Sequence, residues 1–277
     1  MDKKFVMGIA AMAALTLVSC SSDDLDSFSD NSSKNEAISF DGYLGRSAVA
    51  VNGSRGGVLE IADLQKSTEG FGVFGNYKEA NDQEFGANLF DNQQVTYKNS
   101  EWTYSPHKYW LPQGHIDFLA YAPYVKDTKL TGSSIDFTVE NEVAKQKDLL
   151  YAKAAGQTMA DNSGAKKVTF QFEHALSRLG YSVKLYKDFT PNNVKFTLKE
   201  ITLAGSDPKS TAETAKAFYQ EGTIDLSTGN WKEHSKDAAK QDFNWLSESH
   251  DVTSATESAP YTNSPSDYLF VIPQNFL

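Results

Sequence analysis

Apolar residues recur at every second position along much of this chain, and that rhythm limits it to β-structure. Val168, Phe170 and Phe172 are separated by Thr169 and Gln171. Ile135, Phe137 and Val139 alternate with polar residues in the same way, as do Tyr181, Val183 and Leu185. Successive side chains of an extended backbone point to opposite faces, so a period of two puts one face in a core and the other in water. Turn-forming residues punctuate the runs. Val95-Thr96-Tyr97 and Trp102-Thr103-Tyr104 flank Lys98-Asn99-Ser100-Glu101, which predicts a hairpin. Ile224-Asp225-Leu226 and Trp231 flank Ser227-Thr228-Gly229-Asn230, which predicts another. Between Val194 and Leu203 the apolar parity flips near Lys199-Glu200, and a bulge there would keep both halves on one core. Helical signal is confined to the stretches Thr211 to Tyr219 and Glu142 to Ala152. Many short strands joined by turns predict an all-β, sandwich architecture.

The N-terminus departs from this pattern. Met1-Asp2-Lys3-Lys4 precedes an apolar stretch from Phe5 to Val18, then Ser19-Cys20. A basic start and about a dozen apolar residues make a secretory signal, because about 20 are needed to span the hydrocarbon. Residues 1–19 are therefore read as a signal peptide. Leu17-Val18-Ser19-Cys20 matches a lipobox, which makes Cys20 the predicted lipidation site. It is the only cysteine, which excludes internal disulfides and any multi-cysteine metal site.

The formal net charge is −10, and the leader carries Lys3 and Lys4 against Asp2, so the exported chain is more acidic still. Such a surface repels nucleic acid and anionic headgroups, leaving membrane attachment to the acyl chains. Residues 20–36 are polar, acidic and aperiodic, and read as a flexible tether. Their spaced aspartates lack the glycine and terminal glutamate of an EF-hand loop. The remainder exceeds one average domain, which predicts two, over 37–160 and 161–277. The polar stretch from Ala155 to Lys167 marks the expected boundary.

Catalytic chemistry finds no foothold. None of His107, His115, His174, His234 and His250 stands in a zinc-type spacing, and no cofactor or metal is expected. His174 follows an apolar strand and is expected to hydrogen-bond locally. There is no nucleophile elbow and no phosphate-binding glycine loop. The expectation is a protein that is not an enzyme.

Several segments, in order, resemble the fimbrillin family, the subunits of type V pili. They are the lipobox at Cys20, Gly70-Phe71-Gly72-Val73-Phe74, Tyr109-Trp110-Leu111-Pro112 and the run from Ile116 to Pro123. Gln146-Lys147-Asp148-Leu149-Leu150-Tyr151-Ala152, the run from Val168 to Leu179, and Val271-Ile272-Pro273-Gln274 complete the set. The resemblance implies two tandem transthyretin-like β-sandwich domains and export to the outer-membrane surface as a lipoprotein. Ser22-Asp23-Asp24-Leu25-Asp26 looks like an acidic surface-export signal. The resemblance also implies cleavage by a trypsin-like protease after an arginine near the first strand. Loss of that strand would open an apolar groove for a strand from the next subunit.

Arg46, in Gly45-Arg46-Ser47, and Arg55, in Gly53-Ser54-Arg55-Gly56-Gly57, are the candidate cleavage sites. Arg55 is slightly favoured by its Gly-rich context. Relatives continue past Val271-Ile272-Pro273-Gln274, so the expectation is either a fragment or a truncated second sandwich. The implied function is a structural subunit or adhesin of a fimbria. Its implied partners are other pilin subunits, the maturation protease, the outer membrane through the lipid anchor, and host or bacterial surface ligands. The alternative is a monomeric surface glycan-binding lipoprotein that stacks sugars on Trp102, Trp110, Trp231 or Trp245.

Overall fold

A computed structural model describes residues 36–44, 59–79, 85–164, 166–189, 194–205, 216–234, 238–246, 249–256, 261–262 and 268–274. The first strands are β1 (Phe40–Leu44), β2 (Phe71–Lys78), β3 (Phe90–Lys98), β4 (Glu101–Thr103), β5 (His115–Ala122), β6 (Ser134–Thr138), β7 (Leu150–Gln157) and β8 (Val168–His174). A short helix, α1 (Ile61–Lys66), precedes β2. Seven of these strands form one sheet in the order β1-β8-β7-β5-β2-β3-β4. Its ladders are antiparallel except the one between β1 and β8, which is parallel.

The sheet curls until its edge strands approach. Phe40 of β1 meets the rings of Phe90 on β3 and Tyr104 just beyond β4, with centroids 5.5 and 5.4 Å apart. The enclosed core holds the residues the alternation predicts, among them Val168, Phe170 and Phe172. In the hairpin of β3 and β4, Lys98 pairs with Glu101 across Asn99 and Ser100, whose φ values are 53° and 66°. That is the left-handed geometry a two-residue turn needs to match strand twist.

Strand β6 leaves this sheet and pairs antiparallel with a later strand. The second half comprises β9 (Ser177–Leu179), β10 (Ser182–Val183), β11 (Thr197–Leu198), β12 (Ile201–Leu203), β13 (Phe218–Tyr219), β14 (Glu221–Asp225), β15 (Lys240–Gln241), β16 (Phe243–Leu246), β17 (His250–Asp251), β18 (Tyr261–Thr262) and β19 (Leu269–Val271). They form short two-stranded ladders: β14 with β6, β19 with β9, β10 with β18, β11 with β17, β12 with β16 and β13 with β15. The expected break near Lys199-Glu200 falls between β11 and β12, and the β12–β16 register shifts one step later, between Ile201 and Thr202.

The second core gathers Ile135, Val139, Phe218, Ile224, Phe243, Phe270 and neighbours. It reaches the first sheet through β2 and β5. Phe71 and Val73 belong to the first core and Phe74 to the second; Phe118 and Ala120 belong to the first, Leu119 and Tyr121 to the second. Both faces of these central strands are therefore buried, which explains why Phe71–Phe74 reads as apolar without alternation.

The helix expected from Glu142 to Ala152 does not form. Only a 3-10 turn spans Val143–Lys145, and Leu150 begins β7. Leu149 and Leu150 point into different cores, a demand of extended backbone that helical spacing cannot meet. Of the stretch from Thr211 to Tyr219, Phe218–Tyr219 is β13, and 211–215 lie outside the described residues.

Candidate functional site

β1 is an edge strand paired with β8, and it is connected onward by a single linker, residues 45–58, which lies outside the described residues. Its register with β8 runs from Phe40 opposite Val168 to Leu44 opposite Phe172. Just before it, the chain pairs with the other rim of the curled sheet. Ile38 N–H donates to Lys108 O at 2.8 Å, and Trp110 N–H to Glu36 O at 3.0 Å. The Tyr104 hydroxyl donates to Ile38 O at 2.7 Å and accepts from Lys108 N–H at 3.2 Å. Burial pushes that phenol up to about 12, beyond the opposing backbone hydrogen bond, so it stays a neutral donor.

Alternation sets what β1 contributes. Ile38 and Phe40 are each 1% exposed, while Asp41 and Tyr43 face solvent. Phe40 fills a socket of four rings, touching Phe118 and Phe170 in addition to Phe90 and Tyr104. Gly42 faces inward as well: a methyl there would stand 3.1 Å from the Phe172 ring. Leu44, partly buried, closes the row. Without β1, the edge of β8 and this aromatic floor would both be uncovered, leaving unpaired backbone groups beside an apolar cleft.

The other motif segments brace the two cores. A Cβ at Gly72 would meet the Tyr121 ring at 2.4 Å, so only glycine lets that ring pack on β2. Trp110 is buried in the first core while its backbone pairs with Glu36. In the segment 146–152, Gln146 accepts from Phe270 N–H at 2.8 Å and donates to Phe270 O at 3.1 Å, like a strand's peptide group. Asp148 accepts from His174 Nδ1 at 2.7 Å and from Leu59 N–H at 3.1 Å. His174 thus bonds to a residue 26 positions away rather than locally.

A family model described as fimbrillin-like matches residues 61–277. The chain belongs to the fimbrillin-like family. The fold is also shared with a fimbrial protein from Bacteroides vulgatus, at 20% identity and a TM-score of 0.62, covering 86% of this chain and 77% of that one. A Bacteroides ovatus protein ascribed to cell adhesion matches at 17% identity and a TM-score of 0.51, covering 88% and 80%. No curated protein matches the chain.

As a fimbrillin-like protein, the chain is of the pilus-subunit or adhesion type. Cys20, Arg46 and Arg55 lie outside the described residues. Among the described residues no group of His, Cys, Asp or Glu could hold a metal ion, and no helix is long and apolar enough to cross a membrane. The tryptophans are poor sugar platforms. Trp102 and Trp110 are buried, Trp231 and Trp245 half-buried, and Trp231 Nε1 donates to Ala175 O. Sequence reasoning missed the socket of Phe40 and the Asp148–His174 pair. The inward phase shared by Ile38, Phe40 and Gly42 was the available signal for the first.

Proposed function

We propose that this fimbrillin-like chain is a structural subunit or adhesin of a surface fimbria, exported as a lipoprotein through Cys20 and assembled by protease-triggered donor-strand exchange. The observation that carries the reading is β1: an edge strand that plugs an aromatic socket and joins the rest through one arginine-bearing linker. Cleavage after Arg46 or Arg55 would cut that connection. An extended segment from a neighbouring subunit would then satisfy the β8 edge and seat alternate side chains in the socket. Each large apolar side chain buried contributes about 1.5–3 kcal/mol gross, against the cost of ordering the incoming strand.

The test is N-terminal sequencing of protein recovered from the cell surface, with electrophoresis in SDS. The native chain should start at Ser47 or Gly56 and form an SDS-resistant ladder. Arg46→Ala/Arg55→Ala should start at Cys20 and run as a monomer. An unchanged start and ladder in the double variant would sink the cleavage model. Cys20→Ala should abolish acylation, read by incorporation of labelled fatty acid.

A further inference from the structure

From the placement of Asp148 we infer that this carboxylate, with His174, is a clip that holds the segment 59–66 when β1 departs. The inference rests on the reading above only in that β1 is separable. The Asp148 side chain is fully buried. One of its oxygens, Oδ2, takes both the His174 Nδ1 proton and the Leu59 N–H, and Oδ1 has no partner among the described residues. A carboxylate only accepts, so the imidazole donates here and orients the acid toward Leu59. His174 closes β8 and Asp148 precedes β7, so the acceptor stands on the sheet while the donor stands where the linker ends.

The segment that follows is held otherwise by apolar packing of Leu59, Ile61 and Leu64 on the first core and by contact with β3. α1 is six residues long, shorter than any helix stable by itself. The Asp63 carboxylate accepts from Glu60 N–H, a bond internal to the segment. Leu64 is buried in the first core. Ile61 leans on β1, its Cδ1 only 3.8 Å from where a methyl on Gly42 would stand. When β1 leaves, that wall goes and the tether through the linker is lost with it. Leu64 and Leu59 on the first core, the contact with β3 and the Asp148 bond remain, and of these only the Asp148 bond fixes the backbone where the segment begins. Asp148 is thus a positioning residue, which lets the first strand be removed without unravelling the chain behind it.

The experiment places a recognition site for a sequence-specific protease within 45–58 and follows hydrogen exchange of residues 59–66 before and after cutting. Mass spectrometry of the cut sample under mild urea reports separately whether β1 has left. In the intact chain, Asp148→Asn should raise exchange in this segment modestly. In the cut chain the same substitution should raise it about tenfold further, the worth of one hydrogen bond to a charged group. Leu59→Pro, which deletes the donor and spares the buried pair, should repeat the result should Asp148→Asn fail to fold. An equal effect of the substitution in cut and intact chains once β1 has left overturns the clip. Retention of β1 in the cut chain defeats strand exchange and with it the clip's role.

Discussion

At the scale of single residues, the first strand is specified by size as much as by polarity. Phe40→Ala empties a four-ring socket and should cost about 3–5 kcal/mol of stability, read from urea midpoints. Gly42→Val brings two methyls against Phe172 and should cost about 1–3 kcal/mol by overpacking. A second residue-level effect is acid sensitivity. Burial alone would raise the Asp117 carboxyl, but the Gly156 N–H and the Lys78 ammonium, 3.0 Å away, outweigh it and hold it below its ordinary value. A depressed carboxylate stabilises the fold above its unfolded pKa, and that contribution is lost as pH falls through the folded one. The urea-midpoint gap between the native chain and Asp117→Asn should therefore be widest near neutral pH and shrink as the solution is taken below the ordinary aspartate range.

At the scale of elements, sequence reasoning succeeded where one rule acted alone. The alternation of Val168, Phe170 and Phe172 gave β8, and the Asn99-Ser100 step gave the hairpin of β3 and β4. It failed between Glu142 and Ala152, where Leu149 and Leu150 serve different cores and no single periodicity survives. Gln146 was likewise illegible, because the peptide groups it bonds lie over a hundred residues away on β19. Gln146→Ala leaves the buried Phe270 N–H and C=O without that partner and should cost about 2–4 kcal/mol, checked by chemical denaturation. Ser100 in the hairpin turn carries a left-handed φ that glycine tolerates better. Ser100→Gly should raise the melting temperature slightly, by the equivalent of up to about 1 kcal/mol.

At the scale of the molecule, β2 and β5 make the two cores interdependent. Phe74 and Leu119 serve the second core from strands whose neighbouring residues serve the first. Two of the segments that carry the family resemblance, residues 70–74 and 116–123, lie on these doubly buried strands. Those doubly buried strands are the part least able to change. By contrast, β1 lies at the rim of the sheet, where the proposed exchange would replace it. Its parallel alignment with β8 also gives it a mechanical character. A pull on the N-terminal end along the strand axis loads every rung of that ladder at once, whereas a sideways pull would break them one by one. An incoming strand seated here in the same parallel alignment would resist stretching far better than peeling, as a filament exposed to fluid drag requires.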